Sequence, residues 1–531
     1  MAEAQAQPHA QERPEPRTED WIAFAAITAA TFLSYLDMQI VSSSLAQIQS
    51  SLGATRSEVS WVQTSYIIAE VIVVPLAGFL GRGLGLRVMF CLAVLLFAAA
   101  SSLCAMAWDL NSLIAFRVFQ GVAGGVIMPL GMSAVFLMFP PRHQAFATTV
   151  TTLAGTLAPT IGPTLGGWIS EALSWRWLFW MNVAPALVIA TIGWSTIVHE
   201  RVNRALLART DFIGLVGLAA MLGAGQYVLE EGAEDGWTSG KILGFMALAA
   251  VGAIVFFRRV LTRPDPIVDL SPMRNQRFAL ATGLCTLLGA AIYVPNFLQP
   301  LFLAQVRQYS PMQVGNTMFA QGLTMMVVAP LLTRLARDVP DPRAIASASF
   351  AVIALSSWML TQLTPQSAFI DFLVPQILRS VGMIVCMVTI VRPAYATLPV
   401  NQIHAASGLF TVVRLLGGAF GIAIASSMQN HLFSLHRQEL YAAANPGQPK
   451  VQAMLQGLSA YMGEAGWRGD PDQAALAAYS GMLDREALVM AYNDQFLFLT
   501  VALLIGAVGV WLMGAPPKRA APAAAAQPVA G

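Results

Sequence analysis

The chain has 531 residues, of which 56% are hydrophobic and only 11% charged, whereas a soluble domain carries about 25% charged residues. Such a composition cannot cover a surface in water, and its net charge of +2 sits in short loops with no basic, aromatic-interleaved patch for nucleic acid. The apolar residues come in runs of about twenty, the length that crosses a hydrocarbon core as a helix, so the expected class is an all-α integral membrane protein with the lipid bilayer as its solvent.

In chain order, residues 1–21 form a polar, proline-containing tail without the basic start and apolar core of a cleaved signal peptide. Six apolar spans follow at about 22–44, 58–80, 88–107, 112–138, 147–172 and 178–199, an N-terminal six-helix bundle over 22–199. A linker over 200–276 holds two additional spans, at about 212–231 and 240–257. The C-terminal six-helix bundle over 277–514 has spans at about 277–304, 314–333, 344–362, 369–394, 405–428 and 491–514. An Ala/Pro-rich tail, 515–531, completes a reading of fourteen transmembrane helices.

Cytoplasmic loops are enriched in Lys and Arg. Arg82 and Arg87, Arg142, then Arg201, Arg204 and Arg209 fall in alternate loops, followed by Arg258, Arg259, Arg263 and Arg274, then Arg334, Arg337 and Arg343. The expected placement is multi-pass in the cell's inner (plasma) membrane with both termini cytoplasmic. The 429–490 segment then lies outside, either as a folded region for a partner, with a modest amphipathic helix over 452–462, or as a disordered insertion. Glu230, Glu231, Glu234 and Asp235, between the two added spans, are expected in water.

The fourth and twelfth spans repeat one another. Ala115-Phe116-Arg117-Val118-Phe119-Gln120-Gly121 corresponds to Ile377-Leu378-Arg379-Ser380-Val381-Gly382, and each span ends in a proline and a short loop before a glycine-rich helix. Two homologous halves about an axis along the membrane normal suit a site that opens to either side, which argues for solute transport.

An ionisable group in a span must be paired or hydrated. Asp37 lies about two-thirds along the first span and Glu70 in the middle of the second. A carboxyl group withdrawn from water holds a proton more readily and releases it when its cavity hydrates, so either can carry a coupling proton. The alternatives are a fixed helix staple for Asp37 and a simple ion pair with a buried arginine for Glu70. Arg117 reads equally as a proton-relay partner or a permanent pin, while Arg414 sits deep in the thirteenth span and Arg392 near a span end.

The fifth span combines Gly155, Pro159, Gly162, Pro163, Gly166 and Gly167. Glycines permit close approach and prolines permit bending, giving either a gating helix or static packing. Tyr35, Gln39, Tyr66, Gln120, Asn296, Gln299 and Gln321 are the candidate substrate-cavity residues, since amides avoid lipid. Cys91, Cys104, Cys285 and Cys386 lack metal-ligand spacing, and the histidines are scattered, so neither a metal nor a cofactor is expected. There is also no HExxH, phosphate-binding loop or nucleophile elbow to suggest an enzyme.

Four segments resemble the major facilitator superfamily, specifically its fourteen-spanner drug:proton antiporters of the EmrB/QacA type. Leu36-Asp37-Met38-Gln39-Ile40-Val41 resembles the first-helix motif LDxTIVNVALP, with Gln39 in place of Thr. Arg117-Val118-Phe119-Gln120-Gly121 resembles the RxxQG motif, and Gly162-Pro163-Thr164-Leu165-Gly166-Gly167 the antiporter motif GPxxGG. Ser174-Trp175-Arg176-Trp177-Leu178-Phe179-Trp180-Met181-Asn182 resembles the WRWIFxIN segment that follows it. The loop Gly78-Phe79-Leu80-Gly81-Arg82-Gly83-Leu84-Gly85-Leu86-Arg87 departs from GxLaDrxGrk by lacking the acid. The resemblance implies a major facilitator fold and proton-driven export of amphipathic or lipophilic compounds, with small amphipathic substrates and protons as ligands. A lipid, lysolipid, fatty acid or siderophore exporter is the alternative on the same fold. It also implies work with a periplasmic adaptor protein and an outer-membrane channel.

Overall fold

A computed structural model describes residues 15–514 apart from 56–57, 199–210, 264–265, 267, 336–340, 397, 400–401, 445–446 and 466–468. Arg56, Arg201, Arg204, Arg209 and Arg337 lie outside the described residues, as do the side chains of Arg82, Pro159, Glu234, Arg334 and Arg392.

The first half comprises α1 (Thr18–Ile40), the short α2 (Leu45–Leu52), α3 (Trp61–Leu84), α4 (Leu86–Ala105), α5 (Leu110–Met138), α6 (Pro141–Ala172) and α7 (Trp177–Thr196). A hairpin of α8 (Phe212–Asp235) and α9 (Gly240–Thr262) follows. The second half comprises α10 (Gln276–Gln305), α11 (Pro311–Leu335), α12 (Pro342–Met359), α13 (Phe369–Ala396), α14 (Ile403–Ala443), α15 (Pro449–Glu464) and α16 (Pro471–Gly509). No strand occurs among the described residues.

The fold is therefore an all-α, multi-spanning membrane fold, with 12 helices among the described residues long and apolar enough to cross a bilayer. The helices α6 and α11, which answer to the expected spans at 147–172 and 314–333, are not in that set. Both are long, and several side chains of each lie outside the described residues to which that set is confined; α6 is also rich in threonine and glycine, and α11 carries Gln313, Asn316, Thr317, Gln321 and Thr324. Their polar and small residues follow from packing on one another instead of on lipid: the Thr164 hydroxyl donates to the Gly315 carbonyl at 3.0 Å.

Helix directions place both described chain ends on one face. Trp21, at the start of α1, stacks against Phe139 at 4.4 Å and meets His143 at the start of α6. The far end of α6 meets the start of α11, where the Met312 N–H donates to Glu171 at 3.2 Å. Gly514 lies near Arg277, at the start of α10. At the face opposite the termini the halves touch again, the Gln305 amide donating to Gln49 at 3.0 Å.

Local sequence explains several joints. Asp109 caps α5 by accepting from the Ser112 N–H at 2.7 Å, fixing where the helix starts and hence how deep Arg117 sits two turns later. The hydrogen bonds from the Ser112 side chain and backbone hold the Asp109 carboxyl below the usual carboxylate range. Between α3 and α4 the only break is Gly85, whose φ of +81° lies in the left-handed region that favours glycine. Arg87 follows it and donates from Nε to the Ile197 carbonyl at 2.6 Å.

The 429–490 segment is helical over most of its length, since α14 and α16 run past the expected span ends and α15 lies between them, covering the expected 452–462 helix. Arg437 pairs with Asp484 at 2.7 Å and His436 with Asp494 at 2.7 Å, so the two extensions are tied side by side. Glu230 departs from expectation. It is completely buried, not in water, because the last turns of α8 pack against the segment that enters α3, where Ser60 donates to its carboxylate at 3.1 Å. Asp235 does lie at the surface, paired with Lys241 at 2.8 Å.

Close helix approach at glycines holds the second half together. A Cβ on Gly289 would stand 1.9 Å from the Arg414 carbonyl oxygen, and one on Gly417 would stand 2.0 Å from that of Thr286. Gly417→Leu should therefore force α10 and α14 apart and destabilise the chain by about 1–3 kcal/mol or more, the cost of overpacking a dense interior. A lowered melting temperature in detergent checks this, while Gly457→Leu, a site with open space around it, should melt as the parent does.

Candidate functional site

The centre of the first half is an ion pair with no solvent contact. Asp37 on α1 and Arg117 on α5 are both fully buried, with Arg117 Nη1 donating to Asp37 Oδ2 at 2.7 Å. Two amides complete the carboxylate: Gln120 Nε2 donates to Oδ1 at 2.9 Å and Asn182 Nδ2 to the same oxygen at 2.6 Å. Arg117 and Gln120 meet Asp37 together because residues three apart share a helix face. Gln120 also accepts from Arg117 Nη1 at 2.8 Å, so one amide bridges both charges.

Three further helices enclose the pair. Arg117 Nε donates to the Val62 carbonyl of α3 at 3.0 Å, and its guanidinium lies 4.3 Å from the Tyr66 ring centroid. Ser101 of α4 accepts from Gln120 at 3.0 Å and from Asn182 at 3.1 Å while donating to the Phe179 carbonyl of α7 at 3.0 Å. Gly121 explains the last letter of the RxxQG motif, since a Cβ there would stand 2.4 Å from the Tyr66 carbonyl oxygen. Tyr66 in turn shares a 3.1 Å hydrogen bond with Ser34 of α1.

Of the residues singled out from sequence, the structure brings Asp37, Arg117, Gln120 and Tyr66 together here. Asn182 was visible only as the end of a resembling segment, and Ser101 carried no signal, since a serine in an apolar span ordinarily bonds its own helix backbone. Glu70 is elsewhere on α3 and completely buried, and neither carboxylate oxygen has a hydrogen-bond partner among the described residues. The cations that act on it electrostatically are Arg414 of α14, from the opposite half, and Arg117. Tyr35 and Tyr66 of the first half and Tyr293 of the second lie within electrostatic range of Glu70.

The glycine-rich helix α6 lies between the halves. A Cβ on Gly162 would stand 2.9 Å from the Gln39 Cβ, and one on Gly166 would stand 2.1 Å from the Ile40 carbonyl oxygen, so this face rests on α1. Gly167 faces the Pro311 carbonyl and Pro163 faces Gly315, so the neighbouring face rests on α11 of the second half. Gly155 stands over the Tyr35 ring.

Asn296, Gln299 and Gln321 gather in the second half around Arg379, the repeat mate of Arg117. Arg379 Nη2 donates to Asn296 Oδ1 at 3.4 Å and also to Gln321 Oε1. Gln376 donates to Gln299 at 3.1 Å and accepts from the Gln321 N–H at 3.2 Å.

The ion pair yields a stability prediction. Arg117→Met, which strands the Asp37 charge in a dry site, should cost about 3–5 kcal/mol. Adding Asp37→Asn should recover a measurable part of that loss, because no buried charge then remains at the pair. Thermal unfolding of the two single variants and the double variant measures the coupling, and additive effects would show that the pair does not interact.

The family model described as Major Facilitator Superfamily matches residues 27–422. The colistin resistance protein EmrB of Acinetobacter baumannii is 34% identical over 494 residues, covering 93% of this chain and 96% of that protein. The multidrug export protein EmrB of Escherichia coli K12 is 28% identical, covering 96% and 98% of the two chains. The fatty acid resistance protein FarB of Neisseria gonorrhoeae is 28% identical, covering 93% and 96%. Among solved structures, an inward-facing, occupied bacterial homologue of the human lysosomal transporter Spinster shares the fold with a TM-score of 0.58 at 14% identity, covering 92% of this chain and 96% of that one. With the fold, the ion pair built from three motifs and full-length relatives in agreement, the chain belongs to the Major Facilitator Superfamily, in its EmrB-like drug:proton antiporter branch.

Proposed function

We propose that this protein exports amphipathic or lipophilic compounds in exchange for protons by alternating access between its two halves. The observation that carries the reading is the pair of buried carboxyls: Asp37 neutralised by Arg117, and Glu70, which has no hydrogen-bond partner among the described residues and lies within electrostatic range of Arg414 and Arg117 from opposite halves. Protonating Asp37 removes the charge that holds Arg117 to α1. The guanidinium, still charged, then has Glu70 on α3 as the remaining carboxylate acting with it. A proton thereby becomes a shift in which helices are held together. Release of the proton restores the first arrangement.

In this reading α6 and α11 span the membrane along with the other twelve long helices, giving two six-helix bundles, over 22–199 and 277–514, joined by a linker hairpin over 200–276. Both termini face the cytoplasm, and α6 is the gating helix, using Gly155, Pro159, Gly162, Pro163, Gly166 and Gly167. Tyr35, Gln39, Tyr66, Asn296, Gln299 and Gln321 border the cargo. The long extensions of α14 and α16 project outward, where a periplasmic adaptor and its outer-membrane channel would dock. Relatives named for multidrug export and for fatty acid resistance support a cargo class that is broad and apolar.

Purified protein in weakly buffered detergent, mixed with a lipophilic cation such as ethidium, should release protons. Asp37→Asn should abolish the release while leaving cation binding within a few-fold of the parent, and Glu70→Gln should reduce it. Binding without proton release in the parent protein would sink the exchange reading, and unchanged release in both variants would move the proton site elsewhere.

A further inference from the structure

The two halves treat their repeat-mate arginines differently. Arg117 has a carboxylate from α1, the first helix of its half, whereas Arg379 has at the corresponding place Asn296 from α10, the first helix of the second half. Arg379 is only 1% exposed, and among the described residues no carboxylate is paired with it. Amide oxygens of Asn296 and Gln321 solvate one nitrogen, but an amide carries no net charge and leaves the guanidinium unneutralised in a low-dielectric interior.

The unmet hydrogen bonds here all have one sign. Arg379 Nε and Nη1 and Gln299 Nε2 are buried without partners among the described residues, and all three are donors. They belong to one network, because Arg379 bonds Gln321, the Gln321 N–H bonds Gln376, and Gln376 bonds Gln299. A buried site with surplus donors, a full positive charge and no acid is complementary to an anion. Pro295 and Pro300 in α10 flank Asn296 and Gln299, so the helix lacks backbone hydrogen bonds at the place where it would have to yield to a ligand.

We propose that Arg379, with Asn296, Gln299 and Gln321, forms a subsite for the carboxylate head of an amphipathic anion, which supplies in the second half the charge that Asp37 supplies in the first. The inference rests on the export reading and narrows its cargo: one class of substrate is a single-chain carboxylate whose tail is apolar. Cationic cargo has no use for this subsite.

The test is equilibrium binding to the full chain in neutral detergent, using radiolabelled dodecanoate, dodecanol as the uncharged analogue of equal tail length, and ethidium. The parent protein should bind dodecanoate at least about tenfold more tightly than dodecanol, and Arg379→Gln should weaken dodecanoate by roughly 10- to 100-fold, the value of hydrogen bonds to a charged group. Arg379→Lys should retain part of the preference. Asn296→Asp places a carboxylate beside the guanidinium and should abolish the preference without loss of thermal stability, which keeps the proposal testable where Arg379→Gln fails to fold. Equal affinity of the parent for dodecanoate and dodecanol, or an unchanged preference in Asn296→Asp, overturns the subsite. Ethidium-driven proton release, measured in the same preparations, judges the export reading separately: its absence from the parent protein counts against exchange and leaves the anion comparison standing.

Discussion

A charge withdrawn from water into a membrane protein must find its balance inside the fold, and this requirement organises the molecule. The Asp37–Arg117 pair binds α1 to α5, and Asn182, Gln120 and Ser101 extend the same network to α7 and α4. Five helices of the first half thus share one electrostatic knot once the α3 carbonyl of Val62 is included. Every oxygen of the carboxylate is occupied, so the knot is rigid while Asp37 is charged. The second half has the same arginine in amide surroundings, so its centre is held by hydrogen bonds to neutral acceptors and by no ion pair among the described residues. On the exchange reading the asymmetry would give the two halves different work: the first would respond to a proton, and the second would offer its arginine to an anionic ligand.

Charged groups can meet only where backbones approach closely, and this ties the glycine motifs to the charge motifs. Gly121 and Gly124 make room for Tyr66, whose ring lies against Arg117. Gly162 and Gly166 bring α6 onto the segment of α1 just after Asp37, and Gly167 brings the same helix onto α11. A displacement of α1 on protonation would therefore press on α6, which in turn bears on the opposite half. On the exchange reading the glycine motif of α6 would thus be a mechanical link between the Asp37 site and the opposite half, made by the absence of side chains.

Much of this was legible in the sequence, for physical reasons that differ from residue to residue. Apolar runs mark helices that face lipid, which is why the long hairpin helices α8 and α9 could be read directly, whereas α6 and α11, packed on each other, show a weaker run. Asp37 and Arg117 stood out because a charge inside a span is costly, whereas Gln120 was read as a cavity amide and as part of the RxxQG resemblance, and the structure sets its side chain on Asp37 and Arg117. Glu230 was misread since it opens a cluster of acids that looks like the wet end of a span. Nothing in its neighbours announces that Ser60, 170 residues earlier, would meet it. The 429–490 segment hid its helices for a related reason: prolines at 449 and 471 start helices there instead of breaking them.

The buried Glu230 changes what the added hairpin can be. Through Ser60 it grips the entrance to α3 in the first half, and through Gln226, which donates both to Glu230 at 2.8 Å and to the Ala419 carbonyl at 3.3 Å, the same helix touches α14 in the second. Trp61 adds a 2.9 Å bond to Glu231. If the two halves rock against each other as the exchange reading requires, a helix bonded to both at their seam is more than a passive spacer. On the exchange reading one set of these contacts would break in each cycle, either the bonds to the entrance of α3 or the packing of α8 along α14. The contacts of α8 with both halves stabilise this arrangement, so on the exchange reading the linker would set part of the balance between the two states of the cycle.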